Sequence, residues 1–297
     1  MQSLTIGVVV TNYNSWDIAL ECVRAHLLHA GDGIEQIILV DDHSDQSYEG
    51  SPLDPKIKII RNEKNLGFVK SVNIGFSHLV TDLVLLFDAD ASPLMDYREI
   101  IQREFGENAK LGVLGFATYG KDNQITGSAD HEPEVLSLVL GQQIDRLYKK
   151  YLRKPTESVV VYSCAMAVRR KAFAAVEGFD ENFDWLEPDN DFCIRISKQG
   201  WLVRYSPEIR AFHEGGGTPQ RASDRVLRYY KNKWYLLRKH GLVKKVSLVR
   251  ALILLRLRVE YLLLLMFGRL VFVDRDVLTD KLSGRKKIIS YCKENYY

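Results

Sequence analysis

The chain alternates short runs of large apolar residues with segments whose apolar positions recur at helical spacing. The apolar runs of the first third predict strands at Leu4–Val10, Ile34–Val40, Ile57–Ile60 and Leu83–Phe87. Helical spacing occurs between them, over residues 15–30 and from Phe68 to His78. This strand–helix alternation predicts an α/β fold with a mostly parallel central sheet and helices on both faces.

The run from Leu83 to Asp90 ends abruptly in two carboxylates, Asp88 and Asp90. A continuous apolar run of this kind is typical of a strand buried on both faces. Two acids at positions i and i+2 of an extended chain point the same way, so they could bind one cation and its ligand together. The alternative is that this acidic pair only caps a following helix near Pro93.

Polar clusters follow three of the predicted strands, at residues 11–14, 41–45 and 88–90. Ligands of open α/β sheets bind at the carboxyl ends of the strands, so these clusters predict a nucleotide pocket. The sequence has no G-x-G-x-x-G after the first strand and no G-x-x-x-x-G-K-[ST], which argues against dinucleotide-binding and P-loop modes.

The second part of the chain is less regular. We predict strands at Leu111–Phe116, Val159–Val168 and Ile209–His213, the second with small residues at positions 163–165. Residues 120–134 are predicted to form a surface loop and residues 135–154 a helix, and a further helix is predicted from about Phe192 to Gln199.

Three acids, Glu187, Asp189 and Asp191, stand at the start of that last helix. Acids there can simply stabilise the helix dipole, which is an equal alternative for Asp191. A carboxylate at a rigid helix start beside Trp185 is also well placed to accept a proton from a hydroxyl, which favours Asp189 as a general base. His213 precedes three glycines, and it could be a cation ligand or an ordinary structural histidine.

Charge is unevenly distributed along the 297 residues. Residues 221–297 contain 19 lysines and arginines against 6 acids, while the formal net charge of the whole chain is only +3. A basic tail on an acidic body predicts an anionic partner for the tail. The four cysteines are widely spaced without a C-x-x-C pair, and the N-terminus lacks the pattern of a secretory signal, so we expect a cytoplasmic protein.

Residues 246–273 are strongly apolar, but Arg250, Arg256, Arg258, Glu260 and Arg269 interrupt them. The longest uncharged run is too short to span a bilayer. A helical wheel leaves an apolar arc centred on Leu252, Leu255, Leu262 and Met266. This arc suits a helix lying in a membrane interface; the alternative is a helix packed on the catalytic domain or on a second subunit of a homo-oligomer. The basic and aromatic stretch 225–240 could in principle bind nucleic acid. We expect no nucleic-acid partner, because the stretch follows a predicted α/β domain with a nucleotide pocket.

These features together resemble the inverting glycosyltransferases of family 2, which have the GT-A fold, and most closely the bacterial rhamnosyltransferase-type branch. The resemblance covers about residues 4–240 and rests on seven motifs in order: Thr11-Asn12-Tyr13-Asn14, Val40-Asp41-Asp42-His43-Ser44, Asn65-Leu66-Gly67-Phe68 with Asn73 and Gly75, Phe87-Asp88-Ala89-Asp90 (the D-x-D motif), Arg169-Arg170 before Gly178-Phe179-Asp180-Glu181, Pro188 to Arg195, and Phe212-His213.

The resemblance implies roles for individual residues. The implied nucleotide-binding residues are Thr11, Asn12, Tyr13, Asp41, Asp42, Asn65, Gly67, Lys70, Asn73 and Asp88. The implied ligands of Mg²⁺ or Mn²⁺ are Asp88, Asp90 and His213. Family members commonly carry Glu-Asp where this chain has Pro188-Asp189, so Asp189 is the favoured general base and Glu187 the second candidate. A single base without an opposing nucleophilic carboxylate implies inversion at the anomeric carbon.

The implied protein is a metal-dependent glycosyltransferase of bacterial surface glycans. It has a GT-A catalytic domain at 1–240, with a nucleotide-sugar half at about 1–92 and an acceptor half at about 93–240, and a basic amphipathic helical tail at 241–297. The branch favours rhamnose from a dTDP donor; UDP-linked galactofuranose, glucose or N-acetylglucosamine are the alternatives. The acceptor is expected to be a glycan or lipid-linked oligosaccharide, with the enzyme peripheral on the inner face of the cytoplasmic membrane.

Two other functional classes are alternatives to a glycosyltransferase. A catalytically idle, membrane-bound assembly partner of this fold need not retain Asp88, Asp90 and Asp189 together. A sugar-nucleotide-forming nucleotidyltransferase would normally carry a loop rich in Gly and Arg or Lys after the first strand, which residues 11–14 do not provide.

Overall fold

The protein, studied as a computed structural model, divides into two compact units. The structure describes residues 3–50, 53–151, 159–213 and 222–297, without the side chains at 149–151, 159 and 222. The first unit comprises residues 1–132 and 157–217, and the second comprises 133–156 and 218–297. The glycine segment at 214–217 and the last part of the predicted helix, 152–154, lie outside the described residues.

The first unit is built on an eight-stranded mixed sheet with the strand order β3-β2-β1-β4-β9-β6-β10-β5. Its strands are β1 (Ile6–Asn12), β2 (Ile34–Asp41), β3 (Ile57–Arg61), β4 (Leu83–Asp88), β5 (Ala91–Pro93), β6 (Leu111–Tyr119), β9 (Ala165–Arg169) and β10 (Leu202–His213); β7 (Ala129–His131) and β8 (Val159–Val161) form a separate antiparallel pair. The β1–β2, β1–β4, β2–β3 and β6–β10 pairs are parallel, whereas β9 and β5 run antiparallel to their neighbours. The predicted mostly parallel sheet is therefore confirmed.

Strand register brings the predicted polar clusters to one edge of the sheet. Asn12 at the end of β1 lies opposite Asp41 at the end of β2, and Thr11 lies opposite Asp88 at the end of β4. Parallel strands that end together place their following loops side by side, which creates the crevice where such folds bind ligands.

Helices cover both faces of this sheet because its central strands are apolar on both sides; every side chain from Leu83 to Phe87 is fully buried. The helices of the first unit are α1 (Trp16–Ala30), α2 (Phe68–Ser77), α3 (Arg98–Glu107), α6 (Arg170–Ala175) and α7 (Pro188–Lys198). Helices α1 and α3 pack on the face that carries Val8 and Val10. Helix α2 packs on the other face, where Gly75 lets it approach Val9 and Val40.

The predicted elements of the middle region are corrected in three places. The predicted strand at 159–168 is two strands, because β8 pairs with β7 while β9 pairs with β4 and β6. The predicted loop at 120–134 contains β7. The predicted helix at 135–154 is broken at Gly141, whose φ of 88° favours glycine, into α4 (Leu136–Leu140) and α5 (Gln142–Tyr151).

The second unit joins α4 and α5 to three long helices: α8 (Ala222–Lys239), α9 (Val246–Val271) and α10 (Arg275–Asn295). Its core contains Trp234 stacked on Tyr296 with ring centroids 3.8 Å apart, together with Leu237, Ile253 and Ile288. Helix α8 thus shares a core with the tail, so the predicted boundary at 240/241 falls inside this unit rather than at its edge.

Charged residues of α9 are placed differently from the helical-wheel expectation. Arg256 and Glu260 form an ion pair that turns into the unit, where Arg285 donates to Glu260 at 2.6 Å. Arg250 donates to the backbone carbonyl of Lys293. The inward placement of these charges depends on tertiary packing, whereas the helical-wheel interpretation placed all charges of the helix toward solvent or lipid headgroups. No helix in the described ranges combines the length and apolar character needed to cross a bilayer.

Candidate active site

The ends of β4 and β10 and the turn after β4 bring together two acids and a histidine, the acidic group, at the carboxyl edge of the sheet. Asp88 ends β4, Asp90 follows it, and His213 ends β10 opposite Ala91 of β5. Ligand atoms of Asp88, Asp90 and His213 lie within 4.8 Å of one another, and His213 Nε2 is 3.6 Å from an Asp90 carboxylate oxygen. Two carboxylates and an imidazole are a donor set that Mg²⁺ or Mn²⁺ could use.

Asp88 is electrostatically unsatisfied. Burial and the neighbouring carboxylates of Asp90 and Asp189 raise the pKa of Asp88 to about 7. Its Oδ1 atom is buried without a hydrogen-bond partner. A buried carboxylate oxygen without a partner is costly, and a cation bound there would compensate both the charge and the missing contact. The residues therefore fit a divalent cation.

Asp42 organises the loop that enters α2. Its Oδ1 accepts from the backbone N–H of Leu66 at 2.7 Å and from the Asn62 amide at 2.9 Å, and its Oδ2 accepts from the N–H of Gly67 at 2.8 Å. Gly67, at a φ of 86°, precedes the first residue of α2. The carboxylate thus fixes the segment 65–67 beside the strand edge, in a conformation that requires glycine.

Asp41 and Asn12 lie beneath this edge in a buried polar network. The Asn12 amide donates to Asp41 at 3.0 Å, and Ser44 and Arg61 also bond to the Asp41 carboxylate. Asp41 is completely buried. Because Asp41 already has several partners in the chain, its side chain holds the loop after β2 in place. Tyr13, by contrast, is 51% exposed beside this network.

Asp189 sits in the first turn of α7, one residue after the Pro188 that starts it. Its Oδ2 accepts from the backbone N–H of Ser163 at 3.3 Å. Burial and the nearby Glu187 carboxylate raise the pKa of Asp189 to about 6. A carboxyl group with a pKa near neutrality is suited to proton transfer.

Glu187 and Asp191 flank Asp189 but differ from it. Glu187 has a φ of 71° and accepts from the Asn190 amide at 2.8 Å. Asp191 is completely buried, and Arg195 donates to it at 2.6 Å. The structural alternative that the sequence left open for Asp191 therefore agrees with its surroundings.

Three further predicted residues lie along α2 and before it. The Asn73 amide donates to the carbonyl of Phe179 at 2.9 Å, and its oxygen accepts from the N–H of Phe179 at 3.0 Å, so Asn73 ties α2 to the segment after Gly178. Lys70 lies 4.0 Å from Glu181 in a partly exposed pair, and Asn65 is exposed.

Tyr162 is a candidate that sequence reasoning missed. It lies between β8 and Ser163, and burial together with the carboxylates of Asp130, Asp189 and Glu187 raises its pKa. Tyr162 is thus a neutral hydroxyl among three acids. The small residues that follow Tyr162 could have indicated the end of a strand at this position. Tyr162 was still missed, because β7, the strand that pairs with β8, was not predicted.

A family model described as glycosyl transferase family 2 matches residues 7–176, which is more than half of the chain. The chain belongs to this family. The match includes the strand ends that carry Asp42, Asp88 and Asp90, and it confirms the resemblance drawn from the motifs and the enzyme class, a glycosyltransferase.

Curated relatives and solved structures agree with this assignment. The N-acetylglucosaminyl-diphospho-decaprenol L-rhamnosyltransferase of Mycobacterium tuberculosis is 26% identical over 219 residues, which is 65% of this chain and 71% of the relative. The mannosyltransferase PcManGT from Pyrobaculum calidifontis, solved with GDP-Man and Mn²⁺, has a TM-score of 0.59 at 13% identity and covers 100% of this chain and 88% of its own.

A second solved structure, GalNAc-T7 with UDP, GalNAc and Mn²⁺, has a TM-score of 0.55 at 16% identity. The match covers 79% of this chain and half of the GalNAc-T7 chain. At these identities the two structures establish the fold alone. They confirm the predicted GT-A architecture for this family 2 glycosyltransferase.

The glycosyltransferase structure brings many of the predicted site residues to one edge of the sheet. Asp88, Asp90 and His213 form the acidic group, and Asp189 lies close enough to raise the pKa of Asp88. Thr11 adjoins Asp88 in the register of β1 and β4. Asp41, Asn12 and Asn73 instead have their side-chain bonds inside the protein.

Proposed function

We propose that the protein is a metal-dependent, inverting glycosyltransferase that moves a hexose from a nucleoside diphosphate to an acceptor hydroxyl. The observation that carries this proposal is the placement of Asp88, whose Oδ1 atom is buried without a hydrogen-bond partner, beside Asp90 and His213. Asp189 is near enough to interact electrostatically with Asp88. This combines a candidate cation site and a candidate base in one family 2 domain.

Asp88, Asp90 and His213 would hold Mg²⁺ or Mn²⁺. When bound, the cation would neutralise charge on the donor diphosphate as the nucleotide leaves. Thr11 and the exposed Tyr13 would contact the base and ribose, with Asn65, Gly67 and Lys70 on the neighbouring segment. We assign Asp41, Asn12 and Asn73 positioning roles, because their polar atoms already bind within the chain.

Both carboxylate oxygens of Asp42 accept hydrogen bonds within the chain, from Asn62 and from the backbone at 66–67. A carboxylate oxygen can accept more than one hydrogen bond, so Asp42 could still accept from a base N–H. We propose that its main role is to keep Gly67 and the start of α2 in place for the nucleotide.

Asp189 would act as the general base. It would take the proton from the acceptor hydroxyl as the acceptor oxygen bonds to the anomeric carbon and the bond from that carbon to the diphosphate breaks. The proton ends on Asp189 and the electron pair of the broken bond leaves with the diphosphate. Such a single displacement inverts the anomeric configuration. Glu187 is the second candidate for this role.

The proposed donor is dTDP-rhamnose and the proposed acceptor is lipid-linked. Both are supported by the similarity to the mycobacterial L-rhamnosyltransferase, whose name specifies a diphospho-decaprenol acceptor. UDP-linked sugars are the alternative donors, since a structural neighbour is solved with UDP. A lipid-linked acceptor would place the enzyme peripherally on the inner face of the cytoplasmic membrane.

The test is turnover with a panel of nucleotide sugars, dTDP-rhamnose and UDP-hexoses, and prenyl-diphosphate-linked sugar acceptors in the presence of Mn²⁺. We expect release of one nucleoside diphosphate together with a product of inverted configuration by NMR, and no release with chelator. A product of retained configuration, or equal turnover in chelator, would overturn the proposed mechanism. Asp90→Asn should abolish this turnover, and Asp17→Asn, at an exposed position of α1, is its matched control.

A further inference from the structure

The second unit exposes a long apolar helix face. Eleven large apolar residues between Leu248 and Val271 of α9 are each between 41% and 83% exposed. Many of them, including Leu255, Leu262 and Met266, recur at the helical spacing of one face. We call this surface the outer face of α9. A row of exposed large apolar side chains on one helix face is typical of an interaction surface.

Charge on the outer face has one sign. The exposed charged residues of α9 are Arg258 and Arg269. Glu260 is the single acid of this helix, and it is turned inward to Arg256 and Arg285. An apolar surface that presents only arginines complements an anionic partner.

Helices α4 and α5 of the second unit carry further exposed apolar residues. The carbonyl of Leu138 accepts from Arg256 at 3.1 Å, which anchors α4 to the inner side of α9. Leu140, Ile144 and Leu147 beyond that anchor are 37%, 52% and 56% exposed, with the exposed Arg146 between the last two. The same unit thus has two helical segments with exposed leucine or isoleucine beside arginine.

Two aromatic rings, one in the C-terminal half of α9 and one just after it, each lie close to a lysine of α10. Lys286 lies 5.7 Å from the centroid of the Tyr261 ring, and Lys281 lies 5.1 Å from that of Phe272. Aromatic rings and long basic side chains are the residues that occupy the boundary between acyl chains and headgroups.

We propose that the outer face of α9 inserts into the interfacial layer of an anionic lipid bilayer. Arg258 and Arg269 bind lipid phosphates at its border. A second copy of the chain is disfavoured because a self-paired surface would bring these arginines together without an acid of α9 to oppose them. The inference concerns the second unit and does not depend on the transfer reaction.

The test is flotation of the full chain with vesicles of phosphatidylcholine alone and with about 30% phosphatidylglycerol. We expect binding to the anionic vesicles. The double variant Leu262→Glu with Met266→Glu should weaken it at least about tenfold, because two charges enter the inserted face. Arg258→Ala and Arg269→Ala should each weaken anionic binding about fivefold.

The matched control is Leu28→Glu with Val80→Glu, two residues that are 80% and 84% exposed in the first unit. It should bind like the unmodified protein, and circular dichroism melting should show that all variants fold. Absence of binding to anionic vesicles, or unchanged binding by the α9 double variant, would overturn the proposal. So would light scattering that shows a dimer lost in that variant without any vesicle binding. Asp90→Ala should retain vesicle binding, which separates this inference from the proposed enzymatic function.

Discussion

Single residues at the sheet edge show how burial prepares carboxylates for chemistry. Asp88 and Asp189 both have pKa values raised by burial and by neighbouring acids, to about 7 and about 6. Asp191, only two residues from Asp189, is completely buried and pairs with Arg195. The ion pair with Arg195, rather than residue type or burial alone, distinguishes the structural Asp191 from the candidate base Asp189.

Replacement of Asp189 by Asn should lower kcat by about 10²–10⁴-fold, because the general base is lost while the shape of the side chain is kept. Nucleotide affinity, measured by calorimetry, should change little. Glu187→Gln is the companion variant and should leave much of kcat intact. The reverse result, loss in Glu187→Gln and activity in Asp189→Asn, would make Glu187 the base.

The pH dependence of kcat should follow Asp189. A base is active when it is deprotonated, so with a pKa of about 6 kcat should level off above that pH and fall about tenfold per unit below it. Turnover at saturating donor between pH 5 and 8 checks this, with circular dichroism at each pH to confirm folding. A rate that stays constant from pH 5 to 7 would contradict the assignment.

At the scale of elements, loops at the strand ends are held by side chains from distant parts of the sequence. Asn73 in α2 bonds to both backbone groups of Phe179, which is 106 residues away. Asp42 similarly fixes the backbone at 66–67. These bonds hold the start of α2 beside the loop after β2, and the middle of α2 beside the segment after Gly178.

The Asn73→Ala variant should therefore lose stability rather than nucleotide affinity. Removing the amide leaves Phe179 N–H and C=O without this partner, at a cost of about 1–3 kcal/mol in the free energy of unfolding. Urea denaturation and calorimetry measure the two quantities. Ser77→Ala on the same helix is the control, since its hydroxyl only bonds to the carbonyl of Ile74. A tenfold loss of nucleotide affinity at unchanged stability would instead indicate direct contact.

Sequence patterns predicted the elements that have a clear local pattern, either a helical period or a continuous apolar run. The buried strand at 83–88 and the acids that follow it were evident because apolar continuity and its abrupt end are local properties. The split of 159–168 into β8 and β9 was not evident, because it depends on which distant strand pairs with each half. The inward turn of Glu260 likewise depends on Arg285, which belongs to another helix.

The site shows the same distinction. Acid positions and strand ends were predictable, and so was the meeting of Asp88 with Asp90. The engagement of Asp41 by Arg61 and Ser44 was not, since polarity alone does not tell whether a side chain faces a ligand or a partner in the chain. Tyr162 was missed for a related reason, because its acidic surroundings come from three separate segments.

At the scale of the whole molecule, the chain joins a family 2 glycosyltransferase sheet domain with a helical unit of different surface chemistry. The first unit carries the acidic group, and the second carries the exposed apolar helix α9. Under the two proposals, one unit performs sugar transfer and the other binds the lipid surface where a lipid-linked acceptor resides. Each proposal has its own test, and neither depends on the other's outcome.

In the proposed enzyme, Asp88, Asp90 and His213 bind a divalent cation that holds the donor diphosphate. The most direct measurement is calorimetric titration with dTDP and UDP, in Mn²⁺ and in chelator, of the unmodified protein and of Asp90→Asn. We expect nucleotide binding at least about tenfold tighter with Mn²⁺, and loss of that gain in the variant. Equal affinity in Mn²⁺ and chelator, or no binding of either nucleotide, would contradict it.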